Sequence, residues 1–176
     1  ILSAPMLTTS LHLVIVTAII LLTATPLFDA PPPSAWGWFL LVTLCTVAAF
    51  TGLGVLIGVV SANSRATLLW AQLIFLPSML ISGLMMPLAI LPPSAQTLAR
   101  LLPTTYAMNA YNGLAYGLET PFSAWASLAI LLAGGVLAFG LAILLFNWDR
   151  QNRTARLHPA FGLLAMLPYV AGAVLL

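Results

Sequence analysis

The sequence predicts an all-α integral membrane protein, a helical bundle interrupted by one proline-broken segment. Three observations carry that reading. Of 176 residues, 62% are hydrophobic and 5% charged, with a mean hydropathy of +1.11. A soluble domain of this size carries roughly 25% charged residues, so this chain cannot clothe its surface in water. The apolar residues fall in long continuous runs rather than in alternation, which selects helices over a barrel. Between Pro77 and Gly117 the pattern breaks at repeated prolines and continues with Arg100, Asn109 and Asn112.

A bilayer core of about 30 Å takes about 20 helical residues to cross. The first such run covers residues 7–28 and stops at DAPPPSA, where three consecutive prolines exclude helix. The second covers 36–60 and opens with Trp36 and Trp38, whose indoles suit the membrane interface. It contains GLGVLIG, in which Gly54 and Gly58 form a GxxxG pair that would let another helix approach closely. A polar turn, SANSRAT, follows over 61–67, and a third span over 68–86. The last long run, 125–148, holds Gly134, Gly135 and Gly140. A basic linker over 149–158 separates it from an apolar piece over 159–176, which contains Pro168 and is at the short limit for a crossing. That piece reads as a further span or an interfacial helix. The chain opens at Ile1 without a charged leader, as expected of a fragment of a longer protein.

The cluster Arg150, Arg153 and Arg156 directly after the last long run belongs on the cytoplasmic side by the positive-inside rule and anchors the helix end to anionic lipid. Whether residues 87–118 cross or return, four arginines fall inside and one outside, so charge counting does not settle the topology. Insertion cost does. A crossing helix there would carry Arg100, Thr104, Thr105, Asn109 and Asn112, and a central arginine alone costs about 2.5–3.5 kcal/mol. Pro87, Pro92, Pro93 and Pro103 also cut the segment into pieces too short to span. Such pieces enter and return where protein covers their backbone ends. The expectation is an outer turn over 87–94 and short re-entrant or interfacial helices over 95–102 and 104–116. Thr104 or Thr105 would be the N-cap after Pro103.

The stretch LIFLPSMLISGLMMPLAILPPSAQTLARLLPTTYAMNAYNGL, with Ser82-Gly83, Pro87-Leu88, Leu91-Pro92, Leu101-Leu102-Pro103 and Thr105-Tyr106 in order, resembles the signature region of type 2 ABC exporter permeases. The preceding GLGVLIGVVSANSRA resembles that family's fourth span and cytoplasmic turn, and the resemblance covers about residues 36–148. It implies a six-helix permease with re-entrant extracellular helices between the fifth and sixth family helices. Residues 7–28 would be the third helix, with the first two upstream of Ile1. The resemblance also implies a second permease copy or paralogue, and a separate ABC ATPase subunit that hydrolyses ATP. The piece after the sixth helix departs from the family pattern.

The chain has no GK[ST] phosphate loop, so no nucleotide site is expected on it, and it is expected to bind no cofactor of its own and to be no enzyme. His12 and His158 lack partners at metal spacing, and no metal site is expected. Asp29, Glu119 and Asp149 fall at membrane ends, which counts against an ion-coupled carrier with a charge at the midplane. Five arginines, no lysine and three acids are too few for a nucleic-acid surface. Cys45 reads as a small buried hydrophobe. Pro87, Pro92, Pro103, Tyr106, Asn109 and Asn112 are candidates for an outer gate, or satisfy broken backbone. Ser61, Asn63 and Arg65 form a candidate ATPase-facing turn, with topology-setting the plainer role of Arg65. Met79, Met85 and Met86 either pack or offer a soft surface to apolar cargo. The expected function is export of a hydrophobic or amphipathic substrate (drug, lipid or similar) across the plasma or inner membrane. A non-transport membrane scaffold or assembly protein is the alternative, and an intramembrane enzyme lacks convergent polar groups at depth.

Overall fold

The computed structural model describes residues 3–146 and 159–176. Its elements are α1 (Ser3–Phe28), α2 (Trp36–Val60), α3 (Ser64–Ile81), a 3-10 turn (Leu88–Ile90), α4 (Pro93–Ala99) and α5 (Pro103–Ala110), which continues as a π-turn (Tyr111–Ala115). Then come α6 (Ala124–Leu145), a 3-10 helix (Pro159–Met166) and α7 (Leu167–Leu175). Every regular element among the described residues is a helix, and α1, α2, α3 and α6 are each long and apolar enough to cross a bilayer. The expected lipid anchor Arg150, Arg153 and Arg156 lies outside the described residues, as do Asp149 and His158.

The core is the α2–α6 pair, and these helices run parallel. Trp38 meets Trp125 edge-on with ring centroids 4.8 Å apart. Val42 clusters with Leu128, the Gly135 position abuts Ala49, and Gly52 abuts Gly135 and Phe139. Residue numbers rise together on both helices, so both N-termini lie at one end of the bundle. The α3 helix doubles back along α2 after the turn at 61–63, and its last turns, with Leu84 after them, lie beside residues 50–57. By contrast α1 stands outside, with no residue of Leu11–Phe28 buried.

Glycine sets the α2–α6 spacing. A Cβ on Gly135 would stand 2.6 Å from Ala49 Cα, and one on Gly52 2.7 Å from the Gly135 carbonyl oxygen. Ordinary carbon contacts sit at about 3.5–4.0 Å, so only small residues on both faces permit this approach. Within the described residues a Cβ on Gly54 or Gly58 would meet nothing within 4 Å, so the GxxxG pair does not set the α2–α6 contact. Two residues turn an α-helix by roughly 200°, so a face that presents Gly52 to α6 turns Gly54 away from it.

Local signals fix the ends. Asn63 Oδ1 accepts the Ala66 N–H at 2.9 Å, so α3 starts at Ser64, inside the stretch expected to be turn. After Ser82, Gly83 adopts φ +94°, the left-handed conformation that ends a helix and favours glycine. Both hairpin helices start with proline at their first position, Pro93 and Pro103, where the missing N–H costs nothing. Thr104 and Thr105 are thus helical residues rather than N-caps. Leu102 holds the cap position without a side-chain bond, and the Thr105 hydroxyl instead donates to the Ala99 carbonyl at 2.5 Å, tying α5 to α4.

Candidate functional site

The hairpin formed by α4, α5 and the π-turn is seated against the N-terminal ends of α2 and α6. Asn109, buried, donates from Nδ2 to the Phe122 carbonyl (2.8 Å) and to Ser127 Oγ (2.9 Å) at the start of α6. Tyr111 donates its hydroxyl to Thr43 Oγ1 on α2 at 2.9 Å. The Ala115 carbonyl accepts from Ser34 Oγ (2.9 Å) and from the Ala35 N–H (3.0 Å). Phe39 packs on the rings of Tyr111 and Tyr116, and the Arg100 guanidinium lies 5.8 Å from the Phe122 ring centre.

The hairpin reaches deep along the core. Tyr106 and Ala107 cluster with Ala49 and Leu131, and Ala49 is about 20 Å along α2 from its start. From there α5 and its π-turn climb back until Ala115 lies beside Ser34. Its polar groups are mostly satisfied within the protein, as a chain passing through apolar surroundings requires. The candidate gate residues are thereby brought into one structure. Pro87 and Pro92 lend carbonyls to Ile90 and to Ala95 and Gln96. Pro103 starts α5, and Asn112 accepts the Leu118 N–H at 2.8 Å through its carbonyl. The turn with Ser61, Asn63 and Arg65 lies at the opposite end: Ser61 closes α2, Asn63 caps α3, and Arg65 is exposed.

A groove of about 370 Å³ runs between α2 and α3. Phe50, Leu53, Gly54 and Ile57 line one wall and Ala71, Ile74, Phe75, Ser78 and Met79 the other, with Leu84 and Thr104 beside them. It occupies the part of α2 beyond the hairpin, toward Val60, and Thr104 at the start of α5 closes its hairpin end. Two hydroxyls in this apolar lining, Ser78 Oγ and Thr104 Oγ1, are buried without a hydrogen-bond partner. An unpartnered buried hydroxyl costs about 1–3 kcal/mol, and in this arrangement neither oxygen is open to the groove. Sequence reasoning missed both residues as a site. The available signal was Ser78 directly after Pro77, a polar residue beside a helix-breaking ring within a membrane span. Thr104 gave no such signal beyond its proline neighbour. The groove also takes up Met79, whereas Met85 and Met86 are exposed.

These features define a multi-pass α-helical membrane protein with a polar-stitched hairpin at one end and an apolar groove beneath it. The ABC-2 type transporter family model matches residues 1–116. The chain belongs to that family and is a permease component of a transporter. The match runs from α1 through the π-turn of the hairpin. No curated protein and no solved structure matches the chain.

Proposed function

We propose that this chain is the membrane-spanning permease subunit of an ATP-driven exporter that moves a hydrophobic or amphipathic molecule outward across the cell membrane. The observation that carries the reading is the apolar groove between α2 and α3, bordered at the hairpin by Thr104. The hairpin end is the outer face in this reading, and α4, α5 and the π-turn act there as a re-entrant lid. The groove then lies toward the cytoplasm, where a separate ABC ATPase engages the turn with Ser61, Asn63 and Arg65. A second permease copy or paralogue completes the cleft, and the arginines at 150, 153 and 156 hold the cytoplasmic edge to anionic lipid. Substrate enters beside α2 and α3, places its alkyl or aromatic part against Phe50, Ile57 and Phe75, and reaches the Ser78 and Thr104 hydroxyls once α3 and α5 part. Coupling requires the ATP-bound ATPase to prefer one arrangement of the permease over the other.

The test uses the full-length protein with any ABC ATPase encoded beside it, reconstituted in liposomes. A lysophospholipid and a hydrophobic cationic dye serve as probes of stimulated ATP hydrolysis. Ser78→Ala and Thr104→Val break no hydrogen bond in the resting protein, so they should leave its melting temperature unchanged while shifting half-maximal stimulation several-fold. Failure of the two proteins to associate overturns the exporter reading. Normal stimulation in both variants overturns the assignment of the groove.

A further inference from the structure

The segment after α6 is unusual in its geometry. It has eight residues in a 3-10 helix followed by nine in α7. A 3-10 helix rises about 2.0 Å per residue and an α-helix about 1.5 Å, giving roughly 30 Å in all. That equals the thickness of a bilayer core. The same residues wound entirely as α-helix would reach only about 25 Å. The extended winding removes the shortfall that made this piece look too short to cross.

Its contacts climb α6 step by step. Ala165 clusters with Ala138, Leu141 and Ala142. Tyr169, fully buried, rests on Gly134, where a Cβ would stand 2.1 Å from its hydroxyl. Gly172 faces Ile130 and the Tyr106 hydroxyl. As the segment advances α6 recedes, so the two are antiparallel, over about 18 Å of α6 axis. A helix lying on the interface would meet α6 at a single level. The opposite face, with Leu163, Leu167 and Val174, is exposed and wholly apolar, as suits lipid.

The top of the segment ends on the hairpin. Tyr106 and Tyr169 stack with centroids 5.8 Å apart. The Tyr106 hydroxyl donates to the Arg100 carbonyl at 2.7 Å and reaches the Tyr169 carbonyl at 3.3 Å. Leu176 packs on the same cluster. We propose that residues 159–176 cross the membrane antiparallel to α6, bring the chain back to the hairpin face, and act as a strap that pins the hairpin to the core through Tyr169 and Gly172. This rests on the parallel α2–α6 core and not on what is transported.

The test has two parts, both in the full chain with Cys45→Ala. A short hydrophilic segment carrying one cysteine is inserted after Leu176 and treated with a membrane-impermeant maleimide before and after permeabilisation. Glu119→Cys marks the hairpin face and Ala62→Cys the opposite face. Labelling in intact cells at the level of Glu119→Cys supports the crossing, and labelling only after permeabilisation, like Ala62→Cys, overturns it. For the strap, Ala107→Cys reports hairpin seating because Ala107 is buried in the shared cluster. Gly172→Leu and Tyr169→Ala should raise its labelling rate several-fold. Tyr169→Phe should leave it unchanged, because the Tyr169 hydroxyl has no hydrogen-bond partner. An unchanged rate in both Gly172→Leu and Tyr169→Ala overturns the strap while leaving the crossing and the exporter reading standing.

Discussion

Replacing Gly135 with alanine should destabilise the protein far more than replacing other glycines of the same helices. The new Cβ would sit 2.6 Å from Ala49 Cα and 3.1 Å from Ala49 Cβ. The first of these atoms is backbone and cannot rotate away. Restoring a contact of about 3.6 Å moves α2 and α6 apart by about 1 Å, and a gap of that size forfeits a quarter to a half of each neighbouring dispersion contact. Overpacking of this kind costs about 1–3 kcal/mol, against a helix-propensity gain of at most about 1 kcal/mol for glycine to alanine. Net of that gain, at about 2–4 °C per kcal/mol for a chain of this length, the melting temperature in detergent should fall by up to about 8 °C. Gly58→Ala in α2 and Gly140→Ala in α6 meet nothing within 4 Å and should lose nothing. Thermal unfolding followed by size-exclusion fluorescence reads all three. If Gly135→Ala melts like wild type, or either control falls as far, the proposed basis of α2–α6 packing is wrong.

Three further outcomes are expected. Asn109→Leu removes the donor to Phe122 and Ser127 and should loosen the hairpin by about 1–3 kcal/mol, seen as faster trypsin cleavage at Arg100. Gly83→Ala places a side chain at φ +94°, which costs about 1–2 kcal/mol and should lower the melting temperature by several degrees. Asn63→Ala removes the α3 cap and should cost about 1 kcal/mol, whereas Asn63→Asp should retain most of the stability in the same melt.

Much of the architecture was legible in the residues themselves. Hydropathy and run length dictate spanning helices because lipid offers the backbone no other partners. The prolines break the chain between α3 and α6 into short helices, α4 and α5, each starting at a proline. The site was legible in part. Tyr106 and Asn109 stood out as polar residues in an apolar context, and both lie at the hairpin seat. Ser78 and Thr104 did not, because a single hydroxyl in a helix is ordinary until its partners are known to be missing.

The sequence by itself determined that this chain lives in a membrane as helices, where α2 begins, and which segment breaks into short helices, since each follows from the local cost of placing a residue in lipid or of bending backbone at proline. Tertiary structure alone decided which glycines touch, with Gly52 and Gly135 in contact and Gly54 and Gly58 turned away. It alone made α2 and α6 parallel and seated Tyr169 in the Gly134 notch below the hairpin. Those outcomes depend on which helix faces meet, and every face of an apolar helix looks alike to hydropathy until a neighbour of matching shape is placed against it.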